Sequence, residues 1–115
     1  MPTFLAAGPD ATSGSSYFVT VSFFDEIGDA VIPISAKWKL TDGNGAIINN
    51  RSDVNIPPIK AISLIVLSGE DLEYQDGGER VLTVEATYNS LNGSNLPLVD
   101  SIRFRIIDAE SGIIG

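Results

Sequence analysis

A two-residue alternation of apolar and polar side chains, broken by turn residues, runs through most of the chain. It is clearest where Ile34, Ala36, Trp38 and Leu40 alternate with Ser35, Lys37, Lys39 and Thr41. Successive side chains of a strand point to opposite faces, so this pattern predicts a strand with one buried and one solvated face. Gly, Asn, Asp and Pro recur between such segments about every eight to twelve residues, which is typical of a β-sandwich or barrel. The sequence therefore predicts an all-β, antiparallel domain.

The alternation and the turn residues between its segments also predict where strands lie. Strands are expected at 3–6, 17–25, 34–41, 46–51, 61–67, 80–89 and 98–108. Asp42-Gly43-Asn44-Gly45 predicts a hairpin turn, because Gly and Asn tolerate positive φ. Pro57 and Pro58 should end any ladder, and Ser68 with Asp71 three residues later predicts one capped helical turn. We divide the chain into an extended arm (1–16), a β-sandwich domain (17–108) and a short tail (109–115).

The absence of two residue types restricts the chemistry that the chain can perform. It has 115 residues, enough for one domain with its own core, and contains neither Cys nor His. Disulfides, thiolate nucleophiles and Ser-His-Asp triads are therefore excluded. Lys37 and Lys39 fall on the polar face of their strand, away from the buried setting that a Ser-Lys pair would need. We expect no enzymatic activity and no catalytic residues.

Charge and hydropathy restrict the partners. The formal net charge is −8, so we do not expect nucleic acid to be a partner, because phosphate binding needs positive charge. The longest apolar run, Ile62–Leu67, is far too short to cross a membrane, and we expect no membrane contact. The segment Met1–Gly8 lacks a basic n-region, which predicts no signal peptide and synthesis in a cytoplasm.

Two acidic motifs could in principle bind Ca²⁺. One is the cluster Glu70, Asp71, Glu73, Asp76 and Glu79. Its spacing matches no EF-hand loop, and a solvated corner with Asp71 capping a turn is the favoured interpretation. The other is Asp42-x-Asn44, where Ala46 would occupy the fifth position and cannot ligate a metal. We expect no metal and no other cofactor.

The stretch from Leu64 to Tyr88 carries a resemblance to a known architecture. It contains an apolar strand, the corner LSGEDLEYQDGGER and the strand LTVEATY, and Trp38 lies on an earlier alternating segment. Over residues 17–108 this resembles an immunoglobulin-like or fibronectin type III sandwich of about seven strands. The inter-sheet Cys pair is absent, and Tyr88 lies at the end of its strand instead of the start. The resemblance therefore implies an architecture and not an ancestry.

In such a sandwich the third, sixth and seventh strands are neighbours in one sheet. The resemblance thus implies that four of the seven basic residues share one outer face. These residues are Lys37, Lys39, Arg103 and Arg105. One interpretation is a partner-binding face, and the other is cross-strand pairing around Glu85 on a solvated face. Both interpretations stay open at this point.

Aromatic residues on both faces of the strand at 17–25 indicate a second covered surface. They are Tyr17, Phe18, Phe23 and Phe24. A strand with a wet side would not carry aromatic residues on both faces, so either the arm or another chain should cover the outer face. The arm itself is rich in Gly, Ser, Ala and Thr. We expect it to order on a neighbouring subunit through Phe4 and Leu5.

Taken with the missing active-site residues, these features predict a non-enzymatic structural or interaction module. A small acidic β-domain with a polar arm is similar to accessory proteins of tailed-bacteriophage virions, namely capsid decoration, neck or tail proteins. That similarity implies a virion location and partners that are other subunits or copies of the same chain. The alternative is a glycan-binding or adhesion module, for which Tyr74, Phe18 and Phe24 are the candidate aromatic residues.

Overall fold

The computed structural model describes residues 3–6, 10–12, 14–56, 60–73, 78–108 and 113–114. These residues form β-strands and one 3₁₀ turn. The elements are β1 (Thr3–Ala6), β2 (Asp10–Thr12), β3 (Ser16–Phe23), β4 (Ser35–Asp42), β5 (Val54–Asn55), β6 (Ile62–Ser68), the 3₁₀ helix Gly69–Leu72, β7 (Glu79–Ser90), β8 (Gly93–Asp108) and β9 (Ile113–Ile114). No helix among them is long or apolar enough to span a bilayer.

The strands form two sheets. One sheet has the order β1-β3-β6, and the other has the order β2-β8-β7-β4-β5 with β9 beside β8. Neighbouring strands run antiparallel, except that β2 lies parallel to β8. The predicted all-β class is confirmed. The described residues contain nine strands instead of about seven, because short strands also form in the arm, in the tail and after residue 53.

The core lies between the inner faces of the two sheets. The Tyr17 ring of β3 stacks on the Phe104 ring of β8, with ring centroids 4.4 Å apart. Trp38 is 7% exposed, which confirms its predicted inward position. Several other inward residues follow the predicted alternation. They are Val19, Val21 and Phe23 in β3, Leu40 in β4, and Leu82, Val84, Ala86 and Tyr88 in β7.

Two predictions around β4 are wrong. The segment 46–51 is not a regular strand: it returns beside β4 through an isolated bridge between Thr41 and Ile47 and a hydrogen bond from the Ile48 amide to the Leu40 carbonyl. Asn49 and Asn50 adopt left-handed φ values of 51° and 55°, so the chain turns back on itself after burying the Ile48 side chain. Ile34 precedes β4 and is 47% exposed, so it does not continue the inward row.

The described part of residues 1–16 pairs with the domain's own sheets. β1 lies antiparallel to β3, and β2 pairs with β8 so that Ala11 lies opposite Ile106. Ala11 is buried, and Leu5 packs against the core. In the tail, β9 pairs with the end of β8. The division of the chain at residues 16 and 108 into arm, domain and tail stays a prediction.

The predicted capped turn after β6 is confirmed as the 3₁₀ helix, and it carries a buried carboxylate. Asp71 accepts hydrogen bonds from the Ser68 amide at 3.2 Å, the Asn49 side chain at 2.8 Å and Arg51 Nε at 2.8 Å. Burial alone would raise the pKa of Asp71, but these hydrogen bonds outweigh it and hold the pKa below its ordinary value. The Arg51 guanidinium also lies 5.8 Å from the Trp38 ring centre. The network ties the 46–53 loop to the corner and to the core.

Candidate interaction surfaces

The four basic residues singled out in the sequence do share one sheet face. In the ladder joining β4 to β7, Lys37 lies opposite Glu85 and Lys39 lies opposite Thr83. In the ladder joining β7 to β8, residues 103 and 105 lie opposite residues 81 and 79. Directly opposed residues of an antiparallel pair lie on the same face. The predicted neighbourhood of β4, β7 and β8 is therefore confirmed.

Much of the positive charge on that face is paired within the domain. Lys37 Nζ lies 3.0 Å from Asp53 Oδ1 and 3.6 Å from Glu85 Oε2. The hydrogen bond to Asp53, more than any other contact, raises the pKa of Lys37. Arg103 Nη1 lies 2.7 Å from Glu79 Oε1. Three carboxylates thus offset the cations of this face where the sequence indicated only one, and a docking role for the four residues stays a prediction.

Several other candidate residues have positions that bear on their proposed roles. Leu5 packs against the core, and Phe4 lies opposite Ser22 in the ladder, its side chain being outside the described structure. Tyr74 and Asp76 are also outside the described residues. Within the part of the chain that is described, no three acidic side chains come together as metal ligands. A partner contact through Phe4 or Leu5 stays a prediction.

A polar cluster at one end of the sandwich was not foreseen. The exposed Glu26 carboxylate accepts hydrogen bonds from Tyr88 Oη at 2.7 Å, Ser90 Oγ at 2.9 Å and the Asn92 side chain. The bond from Tyr88, more than any other contact, lowers the pKa of Glu26 to about 2. The cluster fixes the loop after β3 to the turn between β7 and β8. The partners lie more than sixty residues apart in the sequence, so no local motif signals their contact.

An unusually apolar exposed surface lies on the three-stranded sheet. Its outer face carries four exposed apolar side chains, which we call the apolar face: Phe18, Ile62, Leu64 and Val66, exposed by 56%, 61%, 56% and 47%. The register sets Phe18 opposite Val66, while Leu64 lies opposite Thr20. The polar residues between them in β3 and β6 are Ser and Thr, without a charge.

The sequence indicated part of this surface. Aromatic residues on both faces of the strand at 17–25 predicted that its outer face is covered, and β1 lies at one edge of that strand and not across the outward Phe18 side chain. The nearly continuous apolar run at 61–67 predicted a strand. Which of its residues point outward depended on the register with β3, which the sequence did not supply.

Comparison with known proteins gives little further guidance. No protein-family model matches the chain, and no curated protein matches it. Among solved structures, it is similar to a cohesin module from a Clostridium perfringens ATCC13124 family 33 glycoside hydrolase. The two are 14% identical with a TM-score of 0.49, over 90% of this chain and 94% of that one. Those values relate no individual residue of one chain to the other.

Proposed function

We propose that this chain is a non-enzymatic module that joins protein subunits, and that the apolar face is the surface it uses. The observation that carries the proposal is the row of exposed apolar side chains on β3 and β6. Contiguous exposed apolar surface on a soluble domain marks a contact with another molecule, because leaving it in water is unfavourable.

The position of the apolar face supports a protein partner. Its side chains stand on paired strands, so they are held in place before binding and little conformational entropy is lost on docking. The face has no charged residue within β3 and β6, in a chain of net charge −8. Interface cores are likewise depleted in charge, whereas the rim is polar. The flanking Ser16, Ser22 and Ser68 match such a rim.

The finer proposal is that the assembly is a virion, in which the chain is a capsid decoration, neck or tail component. It rests on the overall character of the sequence, a small acidic β-domain without Cys or His. The basic residues on the opposite sheet would supply a second contact, since electrostatic complementarity sets encounter rate and orientation. A chain with two docking faces on opposite sheets can link two neighbours.

The test is incorporation of variants into the native assembly. Cells or infected hosts would express tagged wild-type chain together with Phe18→Asp, and the purified assembly would be analysed by quantitative mass spectrometry. We expect Phe18→Asp to be at least about tenfold depleted, because a charge at the centre of an apolar contact is costly to desolvate. Ile27→Asp is the matched control, since Ile27 is 74% exposed in the loop after β3 and lies outside both proposed docking faces.

Equal incorporation of both variants would overturn the use of the apolar face. Absence of the wild-type chain from purified particles would overturn the virion proposal. Strong binding of the isolated domain to a glycan array, lost in Phe18→Asp, would instead support the adhesion alternative and contradict a protein-joining role.

A further inference from the structure

β6 is an edge strand of its sheet. Two hydrogen bonds show which of its residues direct their backbone N–H and C=O groups to β3 and which direct them to the open edge. The Phe23 amide donates to the Ala61 carbonyl at 2.9 Å, and the Gly69 amide donates to the Ser15 carbonyl at 3.1 Å. Both pairs continue the register of β3 with β6. In an antiparallel ladder, alternate residues direct both backbone groups to the same neighbour. Odd-numbered residues of β6 therefore bond to β3, and even-numbered residues direct theirs away from it.

The outward-directed backbone groups belong to the residues that form most of the apolar face. Ile62, Leu64 and Val66 present an amide and a carbonyl to the open edge, and no described strand pairs with that edge. Exposed edge strands are normally protected by charge, proline, a bulge or short length. The seven residues of β6, ISLIVLS, contain neither a charge nor a proline. The edge of β6 therefore carries neither of these two protections.

We propose that the strand it accepts is β6 of a second copy of this chain, paired antiparallel about a two-fold axis at Leu64. In that register Leu64 lies opposite its own counterpart, and Ile62 of each copy lies opposite Val66 of the other. These three residues are apolar, and their free backbone groups are all used. An isologous contact consumes the same edge in both copies, so it closes at a dimer.

The charges flanking β6 fit the same register. Lys60 of each copy would lie opposite Ser68 of the other, two residues from Glu70. Lys60 and Glu70 are both exposed, and neither takes part in an ion pair within the described structure. Glu70 lies in the 3₁₀ helix just beyond β6, so it is not a ladder partner of Lys60, but nearby opposite charges still favour the contact and like charges oppose it. Pairing with reversed copies thus brings unlike charges together at both ends of the contact.

The dimer would join the apolar faces of two copies in one six-stranded sheet. It rests on the proposed function and adds a second copy of the chain as one of the partners. The dimer uses the edge of β6, whereas Phe18 lies on β3, one strand away. Substitution at residue 18 should therefore disturb docking to other subunits and leave the dimer intact. Substitution at residue 64 should disturb the dimer itself.

Sedimentation equilibrium tests the dimer directly. We expect wild-type chain to be dimeric at about 100 µM and to dissociate below about 1 µM, because the contact is at the small end of protein interfaces. Leu64→Lys places two cations face to face and should weaken dimerisation at least about tenfold. Val99→Lys, an equivalent change on the other sheet, should leave it unchanged, and the melting temperature would confirm that both variants fold.

Disulfide trapping tests the register. The chain has no Cys, so each variant carries only the introduced thiol. Leu64→Cys should form a disulfide-linked dimer under mild oxidation, because opposed residues lie about 5.5 Å apart, within disulfide range. Ile62→Cys alone should not, since its counterpart lies about 13 Å along the strand. A mixture of Ile62→Cys and Val66→Cys should form the mixed dimer.

A wild-type chain that stays monomeric at 500 µM, or a Leu64→Cys variant that fails to crosslink, would overturn the dimer. If such a chain still enters its native assembly and Phe18→Asp does not, the protein-joining role survives without the dimer. If the dimer forms but Phe18→Asp enters the assembly normally, the dimer stands and the proposed docking role of the apolar face fails.

Discussion

The substitution Asp71→Asn should destabilise the domain more than any other change of a single charge near the corner. Asp71 is fully buried and accepts hydrogen bonds from Arg51, Asn49 and the Ser68 amide. Hydrogen bonds to a charged group contribute about 1.5–3 kcal/mol each, and removing one partner of a buried pair costs about 3–5 kcal/mol. Arg51 is 39% exposed and can be rehydrated, so we expect a net loss of about 2–4 kcal/mol.

Chemical denaturation at pH 7 measures this loss, with Glu73→Gln as the control because Glu73 is exposed and lies two residues from Asp71. The effect should depend on pH in one direction. The folded pKa of Asp71 is held below its ordinary value, so its stabilisation is present above about pH 4 and lost as pH falls through the folded pKa. Wild type and Asp71→Asn should therefore converge in stability at low pH. A loss below about 1 kcal/mol at pH 7, or a pH-independent difference, would show that the ionised Asp71 carboxylate does not stabilise the corner.

Three further predictions concern the core, the N-terminal strands and the basic face. Trp38→Ala should cost about 3–5 kcal/mol of unfolding free energy by chemical denaturation, because it empties a core position, and a loss under about 1 kcal/mol would contradict that position. Deleting residues 1–12 should lower stability by more than about 2 kcal/mol, since buried apolar groups and two ladders are lost; an unchanged melting temperature would show that these strands are dispensable. Reversing Lys39 and Arg103 to Glu should slow assembly most at low salt while leaving stability nearly unchanged, and normal assembly at every salt concentration would exclude docking by that face.

Sequence patterns predicted the elements whose two faces differ in polarity. In β4, β7 and β8 the alternation identified both the buried row and the outward basic residues, because the inner positions are apolar and the outer ones polar. Arg80 shows the limit of that rule. It is fully buried at an inward position of β7, where its guanidinium donates to the Glu79 and Glu73 carbonyls. Composition alone does not indicate that a guanidinium can find hydrogen-bond acceptors at that buried position.

The predictions failed where contacts are non-local. The pairing of β2 with β8 joins residues more than ninety positions apart, and the polar residues around β2 gave no strand signal. The 46–51 segment alternates weakly, yet left-handed Asn49 and Asn50 end it as a turn. Only part of the apolar face could be predicted from the sequence. A strand that is apolar on both sides has no alternation, so the outward residues of β6 could not be identified.

We expect the apolar face to be covered by protein in the native assembly. The most direct measurement is the maleimide labelling rate of Thr20→Cys, a position between the exposed side chains, in the free chain and in the isolated complex. We predict at least about a tenfold slower rate in the complex. Ile27→Cys, at a loop position where Ile27 is 74% exposed, should label equally in both. Equal labelling of Thr20→Cys in the free and assembled chain would contradict the claim.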